Sequence, residues 1–244
     1  MKTVLITGAN RGLGLGMVKY LSKQNKADKI FATCRSVSEE LKKTSEENKN
    51  IHILHLEATE PATFEDVARE VSSAVGDRGL NLLINNAGIT TKFTKLNLVR
   101  TEQLMNNLVI NTIAPIMLTK SLTVLLKQAA ATNADKPVGV NRAAIINMSS
   151  ILGSIQQNDQ GGFYPYRCSK AALNAATKSM SVDFKKDNIL VASLHPGWVK
   201  TDMGGKNAPL DVETSVQAIF ATLEKLQQGD SGKFLQYDGK ELPW

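Results

Sequence analysis

Seven short apolar runs recur along the chain, at residues 2–7, 29–34, 51–56, 80–85, 143–148, 189–194 and 233–235. Each is continuous rather than alternating, the pattern of a strand buried on both faces. Between them lie stretches with helical spacing. These are a helix opening after the first run, then 36–49, 61–75, 101–131, 166–185 and 212–226. Ser36 offers a cap for the second helix, with Glu39 at capping-box spacing. Pro61 sits near the start of the third, and Pro115 interrupts the fourth. Regular alternation of buried strand and helix implies α/β architecture: a doubly wound, seven-stranded parallel sheet with helices on both faces and right-handed crossovers. The 244 residues, 42% of them hydrophobic, suffice for one large core, so residues 1–244 read as a single domain. No internal repeat or linker divides them.

Composition removes several classes of function. The net charge is +6, but the basic residues are spread along the chain. Aromatics are 5%, too few for a base-stacking platform, so no nucleic-acid partner is expected. No apolar run reaches membrane-span length, and the first strand leaves no room for a signal peptide, so no membrane association and a cytoplasmic setting are expected. The two cysteines, Cys34 and Cys168, are too few for a disulfide framework and read as small packing hydrophobes. No Cys/His cluster has metal-ligand spacing, and no metal is expected.

Ligands in such folds bind beyond the carboxyl ends of the strands. The first strand ends in Thr7-Gly8-x-x-x-Gly12-x-Gly14. Such a turn lets the backbone approach a pyrophosphate at a helix N-terminus. The second strand ends in Thr33-Cys34-Arg35, with no acid until Glu39. An acid at that point would bind a ribose 2′-hydroxyl, whereas Arg35, with Arg11 in the glycine turn, suits a 2′-phosphate and therefore NADPH/NADP. Tyr166 and Lys170, four residues apart, share a helix face. A phenol over an ammonium is a plausible proton donor, with the positive charge lowering the phenol pKa.

These motifs stand with Asn85-Asn86-Ala87-Gly88, Ser150 and Pro196-Gly197 in an order that resembles the classical short-chain dehydrogenases/reductases over essentially the whole chain. The blocks 145–154 and 195–205 look like the sniffer-type carbonyl reductases, a branch that uses NADPH. The resemblance implies a Rossmann fold and a catalytic set of Asn111, Ser150, Tyr166 and Lys170. In it Tyr166 protonates the carbonyl oxygen, Lys170 also binds the nicotinamide ribose, Ser150 holds the substrate oxygen and Asn111 supports Lys170 through water. Along the cofactor it places Gly8, Asn10, Arg11, Gly12, Leu13, Gly14, Arg35, Glu57, Ala58, Asn85, Ala87, Gly88, Pro196, Gly197, Val199 and Thr201, together with Tyr166 and Lys170.

Two features depart from the family pattern. Glu57 stands where the family usually has an aspartate that touches the adenine amine. Ser150 lies sixteen residues before Tyr166, more than the family spacing, and the polar, glycine-rich stretch 156–162 is where the extra residues fit. That stretch, residues 198–210 with Trp198 and Met203, and residues 90–96 are expected to border the substrate. The implied activity is NADPH-dependent reduction of a small-molecule aldehyde, ketone or quinone. A cofactor-binding redox sensor with little turnover, or an alcohol or sterol dehydrogenase working oxidatively, would share most of these residues. A complete Asn111, Ser150, Tyr166 and Lys170 set favours turnover. Family precedent allows a homodimer through the 101–131 and Tyr166 helices, or a monomer.

Overall fold

The computed structural model describes residues 1–91 and 93–244; Lys92, within the 90–96 stretch, lies outside the described residues. Its strands are β1 (Thr3–Thr7), β2 (Lys29–Cys34), β3 (Ile51–His55), β4 (Leu82–Asn85), β5 (Ala144–Met148), β6 (Leu190–His195) and β7 (Phe234–Gln236). They form one seven-stranded sheet in the order β3-β2-β1-β4-β5-β6-β7, and every neighbouring pair is parallel. The winding reverses between β1 and β4, which opens a crevice at their carboxyl ends. This is the Rossmann arrangement expected from the seven apolar runs.

Among the described residues, seven helices cover the sheet: α1 (Gly12–Lys23), α2 (Glu39–Glu47), α3 (Ala62–Val75), α4 (Thr101–Leu108), α5 (Ala114–Thr132), α6 (Tyr164–Asp183) and α7 (Val212–Leu223). Period-2 geometry sends successive strand residues to opposite faces. Val4 and Ile6 pack with Val18, Leu21, Ile219 and Phe220 of α1 and α7. Leu5 packs on the other face with Val67, Val71, Leu122 and Leu126 of α3 and α5. All eight helix residues named are buried, each contributing about 1.5–3 kcal/mol of apolar transfer.

Three local expectations are corrected. The α2 cap is Ser38, whose hydroxyl accepts from the Leu41 N–H at 3.2 Å; two further residues stay extended before the helix starts. The 101–131 helix is continuous but changes register over Val109–Ile113, which form a π-turn. Pro115 has no N–H to return to the Asn111 carbonyl, so the ordinary i→i−4 ladder fails there. By length and composition the helical stretch Thr101–Thr132 is also apolar enough to cross a membrane, with a hydropathy of 1.6, contrary to the reading of the sequence. In this fold Leu118, Leu122, Leu125 and Leu126 of that stretch are instead buried in the core between α5 and the sheet.

Candidate active site

The β1–α1 turn is built to approach a ligand closely. Gly12 has φ +54°, in the left-handed region. A Cβ on Gly14 would fall onto the Gly8 carbonyl oxygen and the Asn86 side chain. Thr7 Oγ1 accepts from the backbone N–H groups of Asn86 and Ala87, both at 2.9 Å. Asn86 Nδ2 donates to the Thr7 carbonyl at 2.8 Å. Asn86 therefore ties the glycine turn to the loop after β4, a role the sequence reading missed although it lies inside the quoted Asn85-Asn86-Ala87-Gly88 motif.

The N-terminus of α1 bears on whether this turn suits a dinucleotide. α2 and α7 are capped by the side chains of Ser38 and Asp211. α1 has no side-chain cap and no acid in its first turn. Its N-terminal N–H groups and positive dipole end therefore face the crevice, the environment that suits a pyrophosphate. Leu13 lies in that first turn, and the Asn10 carbonyl accepts from Ser38 Oγ at 2.6 Å, which anchors the turn to the loop before α2.

The 196–204 segment faces the same turn. A Cβ on Gly12 would sit 3.4 Å from Thr201 Cγ2. Thr201 Oγ1 accepts from the Gly204 N–H at 3.1 Å, and Val199 is buried and bridges to Leu210. The Pro196 carbonyl accepts from Ser215 Oγ at 2.7 Å, and Gly197 lies against Leu210 and Tyr237. Arg11 Nη1 pairs with Asp202 Oδ2 at 2.6 Å, and Arg35 Nε lies 3.7 Å from Glu57 Oε2. Each guanidinium is thus held by a carboxylate of its own. Ala58, next to Glu57, packs on the α3–α5 core.

Asn85 is placed differently from the other cofactor candidates. Its side chain is buried, donating from Nδ2 to Asn147 Oδ1 at 2.8 Å and to Thr119 Oγ1 at 3.3 Å. Asn147 Nδ2 donates to Thr177 Oγ1 at 2.8 Å, and Ser193 Oγ donates to the same oxygen at 2.9 Å. These groups form a polar rung on the α5–α6 face of the sheet, beneath the crevice.

α6 carries Tyr166 and Lys170. Pro165 falls in its first turn, where a missing N–H costs nothing. The residue before the helix, Phe163, has φ +50° and meets the Phe93 ring edge-on at 5.1 Å. This aromatic contact joins the 154–163 loop to the loop after β4. Tyr166 and Lys170 share the inward face, with Lys170 Nζ 5.7 Å from the Tyr166 ring centre. Lys170 Nζ donates to the Met148 carbonyl at 2.8 Å. Burial pushes Tyr166 up to about 12, opposed in part by the neighbouring Ser150 hydroxyl. Burial also lowers Lys170 to about 8. The net shift of the phenol is therefore upward, against the expected lowering by Lys170, because desolvation dominates.

Ser149 and Ser150, adjacent at the end of β5, have different partners. Ser149 Oγ donates to Asn174 Oδ1 at 2.7 Å and is buried away from Tyr166. Ser150 turns toward Tyr166, and its Oγ accepts from the Leu152 N–H at 3.2 Å. Asn111 is buried within the π-turn. It donates from Nδ2 to the Ile89 carbonyl and to Ser169 Oγ, both at 2.9 Å, and accepts from the Ile89 N–H at 2.8 Å. A Cβ on Gly88 would lie 3.1 Å from Asn111 Oδ1 and 3.6 Å from Lys170 Nζ, so the β4 loop, the π-turn and α6 converge there. Trp198 is 55% exposed, with its Nε1 donating to the Gly204 carbonyl at 2.7 Å; Met203 is exposed too. Cys34 is buried as expected, but Cys168 is exposed on the outer side of α6 and is not a packing residue.

The family model for the short chain dehydrogenase matches residues 2–210. The chain belongs to the short-chain dehydrogenase family. Among solved structures of this family, the carbonyl reductase Sniffer of D. melanogaster is 49% identical, with complete coverage of both chains and a TM-score of 0.98. An NADPH-bound carbonyl reductase from chicken fatty liver is 39% identical, covering 100% of this chain and 99% of the other, with a TM-score of 0.94. The C-signal protein of Myxococcus xanthus is 36% identical over 165 residues, 68% of this short-chain dehydrogenase and 93% of the relative.

Proposed function

We propose that this short-chain dehydrogenase is an NADPH-dependent carbonyl reductase, with residues 1–244 acting as one cofactor-binding domain. The observation that carries the reading is the buried Tyr166 phenol, with Lys170 Nζ 5.7 Å from its ring centre and the Ser150 side chain on its hydroxyl side. The uncapped glycine turn of α1 supports a dinucleotide, and Arg11 and Arg35 supply cations for a 2′-phosphate. The likeness to an NADPH-bound carbonyl reductase supports the same cofactor.

When bound, NADPH supplies hydride to the carbonyl carbon. Tyr166 keeps its proton throughout the neutral range, because burial holds the phenol up at about 12. A carbonyl oxygen seated against Ser150 and Tyr166 receives that proton as negative charge grows on it. The Ser150 hydroxyl, beside the phenol, then stabilises the phenolate by donating to it. The Lys170 ammonium, buried nearby, adds favourable charge. Asn111 fastens the β4 loop to α6 through Ile89 and Ser169, which holds Lys170 close to Gly88. Small-molecule aldehydes, ketones and quinones are the substrate class.

The test is NADPH oxidation, followed by absorbance, with a panel of quinones, α-dicarbonyls and enals, and with NADH in parallel. Turnover with NADPH is expected, and Tyr166→Phe is expected to lower it by at least about 10²-fold while NADPH still binds. Full turnover in Tyr166→Phe would remove Tyr166 from the chemistry. NADPH binding without turnover of any carbonyl in the panel would refute the reductase reading.

A further inference from the structure

Glu57 occupies the position after β3 from which a shorter acid would be free to reach an adenine. Its carboxylate is already engaged. Oε1 accepts from the Thr59 N–H at 3.2 Å and from the Thr59 hydroxyl at 3.1 Å. Oε2 faces Arg35 Nε at 3.7 Å. The Glu57 side chain is 15% exposed, whereas that of Arg35 is 76% exposed. The backbone at this point is also fixed. Leu56 N–H donates to the Cys34 carbonyl at 3.1 Å, linking the ends of β2 and β3. Thr63 Oγ1 donates to the Glu57 carbonyl at 3.1 Å.

The geometry points to Glu57 as a positioning residue for Arg35, and through it as a determinant of 2′-phosphate specificity; this rests on the NADPH reading above. An exposed arginine on a long stem loses rotamer entropy when it grips a phosphate. A carboxylate on the Nε edge of the guanidinium fixes the stem and leaves the two Nη groups for a bidentate phosphate contact. Because Oε1 is held by Thr59, the carboxylate is itself fixed. The longer arm of Glu57 is thereby explained: it reaches sideways to Arg35 rather than forward to a base. On this account Glu57 discriminates between cofactors without touching the phosphate.

The experiment uses calorimetric titration of the full chain with adenosine 2′,5′-bisphosphate and with adenosine 5′-monophosphate, which differ by the 2′-phosphate alone. Wild type is expected to favour the bisphosphate. Glu57→Gln and Glu57→Asp are each expected to cut that preference by about two- to fivefold, the scale of a partly exposed charge contact. Affinity for the monophosphate should not fall. With Arg35→Ala in place, Glu57→Gln should have no further effect on the preference. Equal weakening of both ligands by Glu57→Gln would make Glu57 an adenine contact and overturn the proposal. A stronger preference in Glu57→Gln would also overturn it, by showing that the carboxylate opposes the phosphate. Absence of any preference in the wild type would overturn the NADPH reading itself, and this inference with it.

Discussion

Lys170 is a buried ammonium that the fold holds at a cost, and the cost depends on pH. Burial lowers its pKa from 10.5 to about 8. Below pH 8 the folded chain carries the charged form at a penalty of about 3 kcal/mol, from roughly 1.4 kcal/mol per pKa unit. Between the folded value and 10.5 the unfolded chain binds a proton that the folded chain does not. Stability from this group therefore rises with pH across that window, at about 1.4 kcal/mol per pH unit. From pH 7 to pH 9.5 the wild type should gain about 2 kcal/mol from Lys170. Lys170→Met removes the charge and keeps much of the volume, at the cost of the hydrogen bond to the Met148 carbonyl, worth about 1–3 kcal/mol. That cost does not depend on pH. The measurement is urea unfolding of both proteins, without cofactor, at pH 7 and pH 9.5. The stability of Lys170→Met relative to wild type should fall by about 2 kcal/mol between the two pH values. The raised Cys34 thiol is common to both proteins and cancels. A relative stability that stays constant with pH would show that Lys170 is not desolvated in the folded chain, and would refute the reasoning.

Two other perturbations separate supporting side chains from reacting ones. Ser149→Ala should cost about 1–3 kcal/mol, because it leaves Asn174 Oδ1 buried without its donor, yet change kcat little; Ser150→Ala should lower kcat with a small effect on stability. Equal losses of kcat in the two would undo that assignment. His195 is held down to about 4 by burial, and its Nδ1 is buried without a partner. Its unfolded value, near 6.5, makes the unfolded chain bind the extra proton between these values, so stability should fall as pH drops from about 6.5 to 4. His195→Gln should flatten that acid limb in thermal melts, and an unchanged slope would show that another group causes it.

Much of the architecture was legible because buried parallel strands leave an unambiguous trace. The runs 143–148 and 189–194 do not interrupt their apolar residues often enough to be surface strands, and these two proved buried throughout, whereas the edge strand β3 leaves His55 exposed. The site was legible where chemistry fixes spacing, as for Tyr166 and Lys170 on one helical face. It was less so where a role depends on partners across the fold. Ser149 and Ser150 are adjacent hydroxyls, and only the position of Asn174 on α6 tells them apart. The register change at Asn111 needs both Pro115 and the packing of α4 and α5 around it. The sign of the Tyr166 shift was misread because spacing reports proximity to a charge but not loss of water. Cys168 was misread because hydrophobicity alone does not say which side of a helix faces out.

The rung from Asn85 through Asn147 to Thr177 and Ser193 acts as an index mark for the sheet. A strand that slipped by one residue would turn its amide or hydroxyl to the opposite, aliphatic face and bring a hydrocarbon side chain into the rung. Several buried hydrogen bonds would be lost at once, each worth about 1–3 kcal/mol. β4, β5 and β6 are thereby locked to one another just beneath their carboxyl ends. The loops that leave those ends carry Gly88, Ser150 and Gly197. Those loops are free to vary in length and sequence while their points of departure stay in registration. Gly88, Ser150 and Gly197 inherit their alignment from three strand ends held level, and the loops are left to decide what is admitted between them.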